Sequence, residues 1–322
     1  MPSSPLNRRD FLATSASLAA GVTLAAPALA RINQPPTPSH APTPPANPAA
    51  PKRTLRKAFY GHVDAPTVMD RLSMLRDAGF EGAELDSPTK IHMDEIRAAI
   101  EKTGVKVHGL CDSVHWRLYL NSPQPKVRAQ ALDALRTAIE DAHTLGAISI
   151  LLVPAVVNKD HPYADAWRLT QEEIRKVLPL AKEKNVKIAM ENVWNNFIMS
   201  PLEAAKYIDD FRSDMVGWHL DIGNMINFGW PEQWIATLGP RITKLHIKDF
   251  SRTKRDKEGL WKGFDVELGE GDADWPAVMR ALDATGYSTA PKGNWATAEV
   301  RGGDLTRLTE IAKQMDKLFA LQ

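Results

Sequence analysis

Four short apolar segments in the second half of the chain each end on a residue that can bind a divalent metal ion. Each segment is too short for a helix and is followed by a loop and a helix-like pattern, which predicts parallel strands joined by helices. Because the catalytic groups of a β/α barrel lie at the carboxyl ends of its strands, these segments predict both a fold and the face that carries its chemistry. Their final residues are Glu191, Asp221, His246 and Glu299.

Three carboxylates and one imidazole form an oxygen-rich ligand set. Such a set suits Mn²⁺ best, or Mg²⁺, with Co²⁺ or Zn²⁺ as substitutes. One carboxylate after a strand is often only a helix cap or the partner of a basic side chain. Four ligand-type residues at the same end of four strands favour a metal site, so we expect one divalent ion bound by all four.

The rest of the chain supplies the other half of a barrel. Apolar strand-like runs alternate with helical periods, and the four earlier runs bring the strand count to eight. This pattern predicts an α/β fold, a single-domain (β/α)8 TIM barrel over residues 53–322. The earlier strands are predicted at 57–63, 82–86, 105–112 and 149–154, and the helices at 67–78, 93–102, 126–145, 170–183, 201–211, 231–238 and 275–284. The long polar stretch 251–274 is expected to form a flap over the metal face.

The first 30 residues predict an export signal. Arg8 and Arg9 precede an apolar stretch that ends in small residues at 28–30, as in a twin-arginine signal peptide. The stretch is too short to span a bilayer, so no stable membrane anchor is expected after cleavage. Residues 31–52 contain eight prolines and are predicted to be a disordered linker. We therefore expect a periplasmic protein that uses the twin-arginine export machinery.

Composition narrows the choice of partners. The net charge is +1 and no run of basic residues stands out, so a nucleic-acid partner is not expected. Cys111 is the only cysteine, which excludes an intrachain disulfide. A small carbohydrate is the expected ligand, and homo-oligomerisation is left open.

Several polar or aromatic residues near the predicted strand ends are candidate substrate contacts. Arg252 follows His246 by six residues and either holds a substrate oxygen or lies in solvent. Glu84 and His115 stand at or just beyond early strands. Trp194 either packs in the fold or forms a wall for the apolar face of a sugar ring. The run Gly269–Glu270–Gly271 is either a simple turn or part of the metal face.

At these residues the chain resembles the sugar phosphate isomerase/epimerase superfamily, the xylose-isomerase-like barrels, over most of residues 55–320. Two longer stretches, 191–203 and 230–235, are similar to the branch that contains L-ribulose-5-phosphate 3-epimerases and hexulose-6-phosphate isomerases. The matching motifs are Met190–Asn192, His219–Asn224, Lys244–Asp249, Gly269–Gly271 and Ala298–Val300.

The resemblance implies roles for individual residues. It implies that the four strand-end residues bind the metal, usually Mn²⁺, and that Glu191 and Glu299 are the catalytic acid/base pair. Arg252 matches an arginine that contacts substrate in ketose 3-epimerases of this fold. Asn224 stands where those enzymes carry a substrate-binding histidine, which argues against a free-ketose epimerase of that type. Asn192 and Asn224, within the matched motifs, complete the expected substrate contacts.

The expected function is thus an exported, metal-dependent epimerase or isomerase of a sugar or keto-sugar, acting through a metal-stabilised enediolate with two glutamates as acid/bases. Export argues against a phosphorylated substrate. One alternative is a lyase or dehydratase on 3-keto-glycosides or inosose-like substrates, and another is a non-catalytic sugar-binding protein. An apurinic endonuclease is disfavoured, because Asn224 replaces one of the histidines that its metal cluster needs.

Overall fold

A computed structural model describes residues 52–291 and 294–322. The predicted export signal and all but the last residue of the predicted linker lie outside the described residues. Within the described ranges, no helix is both long enough and apolar enough to cross a membrane.

Eight parallel strands close into a barrel in chain order, with β1 paired to β8. This confirms the predicted fold class. The strands are β1 (Arg56–Phe59), β2 (Gly82–Ser87), β3 (Lys106–Asp112), β4 (Ser149–Leu152), β5 (Lys187–Glu191), β6 (Val216–Asp221), β7 (Ile242–Ile247) and β8 (Trp295–Ala298). The first strand ends earlier than the predicted 57–63, because the chain turns at Gly61, where φ is +144°.

Helices surround the barrel and bury their apolar faces against the strands. The residue before a helix often accepts a hydrogen bond from its first turn, as Thr67 does from Asp70 and Ser200 from Glu203. The helices are α1 (Val68–Ala78), α2 (Met93–Thr103), α3 (Pro125–Leu145), α4 (Tyr163–Arg175), α5 (Leu178–Lys184), α6 (Pro201–Asp209), α7 (Ile222–Ile226), α8 (Pro231–Leu238), α9 (Arg252–Glu258), α10 (Trp275–Ala284) and α11 (Leu305–Phe319).

The predicted helix 170–183 with its cap at Thr170 is wrong. Thr170 lies buried inside α4, where its hydroxyl donates to the Ala166 carbonyl over 2.7 Å and lies 2.7 Å from the Tyr207 hydroxyl. The helical segment breaks before α5, whose second residue is Pro179. A proline lacks the amide hydrogen that a continuous helix needs, so the chain makes two helices rather than one.

The barrel interior contains a layer of buried polar side chains instead of the usual apolar layer. This layer lies on the amino-terminal side of the four candidate ligands, since its members precede them on the same strands or face them across the barrel. Gly109 makes room for it, because a Cβ atom there would overlap Nζ of Lys244. The layer consists of Glu84, His108, His219, Lys244 and Thr297.

Candidate metal centre and active site

The barrel brings the four predicted ligands into one cluster at the carboxyl ends of β5, β6, β7 and β8. One potential ligand atom from each of Glu191, Asp221, His246 and Glu299 lies within 4.8 Å of the others. Nδ1 of His246 is at the centre, 3.4 Å from Oε1 of Glu191, 3.8 Å from Oδ2 of Asp221 and 3.0 Å from Oε2 of Glu299. Strand register produces part of this convergence, because Asp221 on β6 pairs directly with His246 on β7.

The cluster fits a divalent cation. Nδ1 of His246 is buried, and within the described part of the chain it has no hydrogen bond of normal geometry. Oε2 of Glu84 lies 3.3 Å from the other ring nitrogen, Nε2. This neighbour favours a proton on Nε2, so Nδ1, which faces the three carboxylates, is the nitrogen that would bind a cation once its own proton is displaced. An unsatisfied imidazole nitrogen among three carboxylate groups is a suitable donor set for Mn²⁺ and related ions.

Lys248 is a further charged member of the cluster. Its Nζ lies 2.6 Å from Oε2 of Glu299 and 2.8 Å from Oδ2 of Asp221. The residue is two positions beyond His246, so the alternation of the β7 strand turns both side chains to the same side. The ammonium group offsets part of the negative charge of the ligand set.

The neighbouring charges and burial shift the pKa values of the four candidate ligands in different directions. Burial raises the pKa of Asp221 to about 7, against the opposing effect of Lys248. Burial also raises the pKa of Glu191. For Glu299, burial acts in the same direction, but Lys248 and His246 outweigh it and hold the pKa below its usual value. For His246, burial lowers the pKa, but the surrounding carboxylates outweigh it and raise the pKa well above its usual value.

Glu84, expected as a substrate contact, lies in the polar layer and is only 1% exposed. Its carboxylate accepts a hydrogen bond from Thr297 over 2.9 Å and faces Nε2 of His246. Burial raises the pKa of Glu84, but His219, His246 and Lys244 together outweigh it and hold the pKa well below its usual value. Nζ of Lys244 also donates to the His108 carbonyl. The location of Glu84 corresponds to a residue that orients the histidine and not to one that touches substrate.

Asn192 and Asn224, also expected as substrate contacts, connect the segments that directly follow β5 and β6. Nδ2 of Asn192 donates to the Asp221 carbonyl over 2.8 Å, and its Oδ1 accepts from the Asp221 amide over 3.1 Å. Nδ2 of Asn224 donates to the Asn192 carbonyl over 2.9 Å, while its amide donates to Oδ1 of Asp221 over 2.8 Å. The Asn192 side chain and the backbone N–H of Asn224 therefore fix Asp221, while the Asn224 side chain holds the Asn192 backbone.

Trp194 and Arg252 also make contacts within the protein. Nε1 of Trp194 donates to the Asn224 carbonyl over 2.9 Å, and its ring stacks on Phe264 with 5.1 Å between centroids. The Arg252 guanidinium donates to the Ile226 carbonyl over 2.8 Å and to the Gly229 carbonyl over 3.0 Å. Two cavities adjoin the cluster of candidate ligands, and neither Trp194 nor Arg252 lines either of them.

The two cavities meet at Tyr60 and Glu299, which line both. The smaller has a volume of about 190 Å³ and includes Glu191, His246 and His115 in its wall. His115 is 5% exposed, and burial lowers its pKa to about 4, so its ring is neutral near pH 7. The larger cavity, of about 760 Å³, lies between the loop after β8 and the segment 264–267.

The stretch 251–274 borders this larger cavity and is held by the carboxylate of Asp249, which is 2% exposed. This stretch, predicted to form a flap, contains α9 and a 3₁₀ turn, Leu260–Phe264. The Asp249 carboxylate accepts hydrogen bonds from five N–H groups, which belong to Phe250, Gly269, Gly271, Ala273 and the Trp275 indole. The Gly–Glu–Gly run therefore acts through its backbone, in the structure of the loop.

A sequence model of the xylose isomerase-like TIM barrel matches residues 72–320. The chain belongs to this family. The L-ribulose-5-phosphate 3-epimerase UlaE from Escherichia coli is 27% identical over 232 residues, which cover 68% of this chain and 78% of the relative.

Solved structures share the fold of this xylose isomerase-like barrel. The 3-keto-D-glucoside 4-epimerase YcjR from E. coli has a TM-score of 0.68 at 16% identity, with 83% of this chain and 99% of that chain covered. A D-allulose 3-epimerase from Methylomonas sp. has a TM-score of 0.65 at 17% identity, with 84% and 99% covered.

Three further residues of the site, Lys248, Tyr60 and Asp249, were not predicted from the sequence. Lys248 could have been found from its spacing, because it lies two residues beyond His246 and directly follows β7. Tyr60 follows β1, lines both cavities and stacks on His246 with 5.8 Å between ring centroids. Its hydroxyl donates to Oδ1 of Asp86 over 2.8 Å, a pairing between strands that no local pattern indicates.

Proposed function

We propose that this protein is a divalent-metal-dependent epimerase or isomerase of a sugar or keto-sugar. The convergence of Glu191, Asp221, His246 and Glu299 carries the proposal, since their ligand atoms all lie within 4.8 Å of one another. The names of its relatives support it, because UlaE is an L-ribulose-5-phosphate 3-epimerase and several proteins of the same fold are named as sugar epimerases. Mn²⁺ is the proposed metal, held by these four residues.

A bound divalent cation would supply Lewis-acid polarisation of a substrate carbonyl, which makes the neighbouring C–H proton removable. The protein supplies the proton transfer. Glu191 and Glu299 come from strands β5 and β8, three positions apart around the barrel, and both line the smaller cavity. One carboxylate takes the proton from carbon, and the other returns a proton to the opposite face of the resulting enediolate. Such positioned acid/base groups accelerate a reaction by roughly a hundred- to ten-thousand-fold.

Deuterium exchange tests this proposal directly. The Mn²⁺-loaded protein is incubated in D₂O with a panel of ketoses and 3-keto-glycosides, and deuterium uptake at carbon is followed by NMR. We expect exchange with at least one substrate, which a non-catalytic sugar-binding protein would not give.

Two variants separate proton transfer from metal binding. Glu191→Gln keeps the size of the side chain but removes its basicity, so exchange should stay lost even at saturating Mn²⁺. Asp221→Asn should recover part of its activity when the site is refilled, because Asp221 is proposed only as a ligand. Wild-type exchange by fully metallated Glu191→Gln would rule out the two-carboxylate mechanism.

We also propose that the protein is exported to the periplasm, because Arg8 and Arg9 form a twin-arginine pattern before an apolar stretch. Export would favour a substrate without a phosphate group. Replacement of both arginines by lysine should retain the protein inside the cell. Efficient export of that variant would exclude the twin-arginine route.

A further inference from the structure

The cluster of four candidate ligands adjoins two cavities of different size and chemistry. The proton-transfer carboxylates and His246 all line the smaller one, so the reacting carbon of the substrate must lie there. Its volume of about 190 Å³ is below the range of about 300–1,000 Å³ that encloses a drug-sized ligand. The smaller cavity therefore suits a single sugar ring.

The larger cavity adjoins the smaller one, because Tyr60 and Glu299 line both. Its volume of about 760 Å³ leaves room for a second group attached to the reacting ring. Lys248 also lines it, so this space begins directly at the metal cluster and is not a separate surface depression. A free monosaccharide in the smaller cavity would leave the larger one to solvent.

The larger cavity is lined by charged groups of both signs. Arg307 lines it, but its guanidinium lies 2.7 Å from the carboxylate of Glu267, which lines the same wall. Asp265 adds a second acidic group to that wall and is itself 2.7 Å from Lys262. Arg301 adds a basic group to the same lining, so the cavity carries charges of both signs, and several of them are paired with one another. Hydroxyl groups both donate and accept hydrogen bonds, so they can match a wall that carries both signs of charge.

The same cavity offers apolar surface. Phe264, Val266 and Val300 line it between the charged groups. The ring of Phe264 is fixed by its stack on Trp194, with 5.1 Å between centroids. A few polar groups set among apolar side chains are typical of a small-molecule site, and a sugar ring presents both C–H faces and hydroxyl edges to such a wall.

We infer that the substrate is a glycoside, with the reacting keto-sugar in the smaller cavity and a second, uncharged sugar ring in the larger one. This inference rests on the proposed function and specifies its substrate class. Arg301 and Val266 line the larger cavity but not the smaller. They are therefore specificity-determining residues for the second ring.

The test compares three substrates with the Mn²⁺-loaded full chain. They are the 3-keto derivative of methyl glucoside, the 3-keto derivative of the disaccharide trehalose, and L-ribulose 5-phosphate. Deuterium exchange in D₂O gives kcat/KM for each. We expect the disaccharide derivative to exceed the methyl glycoside by at least tenfold, and the phosphate ester to be the poorest.

Two variants test the location of the second ring. Val266→Trp fills the larger cavity and should lower the ratio of kcat/KM for disaccharide over methyl glycoside by about tenfold, whereas Arg301→Ala should lower it severalfold. Arg97→Ala is the matched control, because Arg97 lies on α2 and its side chain is 62% exposed. That variant should keep the wild-type ratio. A ratio unaffected by Val266→Trp, or a preference for the phosphate ester, would overturn the inference.

A binding measurement separates failure of the inference from failure of the proposed function. Calorimetry with unmodified trehalose and glucose does not depend on turnover. Binding of trehalose at least tenfold tighter than binding of glucose, lost in Val266→Trp, would support the two-ring site. If no substrate exchanged deuterium in that case, only the proposed catalysis would be rejected. Exchange without any disaccharide preference in rate or binding would leave the catalysis standing and reject the second-ring site.

Discussion

Gly271 passes so close to Asp249 that a Cβ atom on Gly271 would overlap Oδ1 of the Asp249 carboxylate. The same carboxylate holds the amides of Gly269 and Gly271 and the indole of Trp275. The stretch that borders the larger cavity is therefore tied to the residue just beyond β7 by one buried acidic group. This link joins the shape of the cavity to the strand that carries His246.

Gly271→Ala should loosen this stretch. The added methyl group must displace the Asp249 carboxylate or the loop, which leaves buried N–H groups without acceptors and costs about 1–3 kcal/mol of unfolding free energy. Gly229→Ala is the matched control, because its Cβ would meet its nearest neighbours at 3.5 and 3.6 Å, an ordinary contact distance. Chemical denaturation measures both variants. Equal stability of the two would show that the loop tolerates displacement of Asp249.

Glu84→Gln should weaken metal binding without changing any proposed ligand. The variant keeps the size of the side chain but removes the negative charge that faces Nε2 of His246, so the imidazole becomes a poorer and less fixed donor. Loss of such a supporting carboxylate typically lowers metal affinity by about 10- to 100-fold. Calorimetric Mn²⁺ titration measures the change. Unaltered affinity would mean that Glu84 does not act through His246.

The fold and the proposed ligand set could be predicted from local patterns, because nearby residues in the sequence determine where strands end and helices begin. The contacts of the residues around the site could not be predicted in this way. The position of Glu84 in β2 resembles that of a pocket residue. In the closed barrel, however, its carboxylate faces His246 and not a cavity. Arg252 has the expected spacing from His246, yet its guanidinium donates hydrogen bonds to the carbonyls of Ile226 and Gly229, between β6 and α8.

Helix boundaries show the same difference between local and long-range information. Thr170 has the chemistry of a helix cap, and the acidic residues that follow it strengthen that pattern. Its hydroxyl is instead buried against Tyr207 of another helix. Packing between α4 and α6 decided its role, and such packing has no signal in a single sequence.

Lys248→Met should raise the affinity for Mn²⁺ and lower the catalytic rate. The lysine ammonium repels a cation held by Asp221 and Glu299, so its removal should strengthen binding on the order of tenfold near neutral pH. The rate should fall because Glu299 loses the partner that fixes its carboxylate. Lys313→Met on α11, at an exposed position, is the control. Calorimetry and deuterium exchange give the two quantities, and weaker Mn²⁺ binding by the Lys248 variant would show that the ammonium supports the metal instead of competing with it.

Metal affinity should rise with pH, with a steeper slope below pH 7 than above it. Burial raises the pKa of Asp221 to about 7, so below that pH an incoming cation must displace the Asp221 proton. The carboxylates around His246 outweigh its burial and raise its pKa well above the usual value, so the cation displaces a proton from this ring as well, on both sides of pH 7. Each displaced proton changes the apparent affinity by about tenfold per pH unit.

Calorimetry from pH 6 to pH 8, repeated in buffers with different ionisation enthalpies, counts the protons that Mn²⁺ binding releases. We expect more protons released at pH 6 than at pH 8, with the difference contributed mainly by Asp221. Asp221→Asn removes that titrating group, so it should bind Mn²⁺ more weakly at every pH but lose the extra slope below pH 7. If proton release is the same at both ends of the range in the wild-type protein, the Asp221 carboxylate is already ionised before the metal arrives. In that case the Lys248 ammonium, 2.8 Å from Oδ2, dominates over burial in setting its charge.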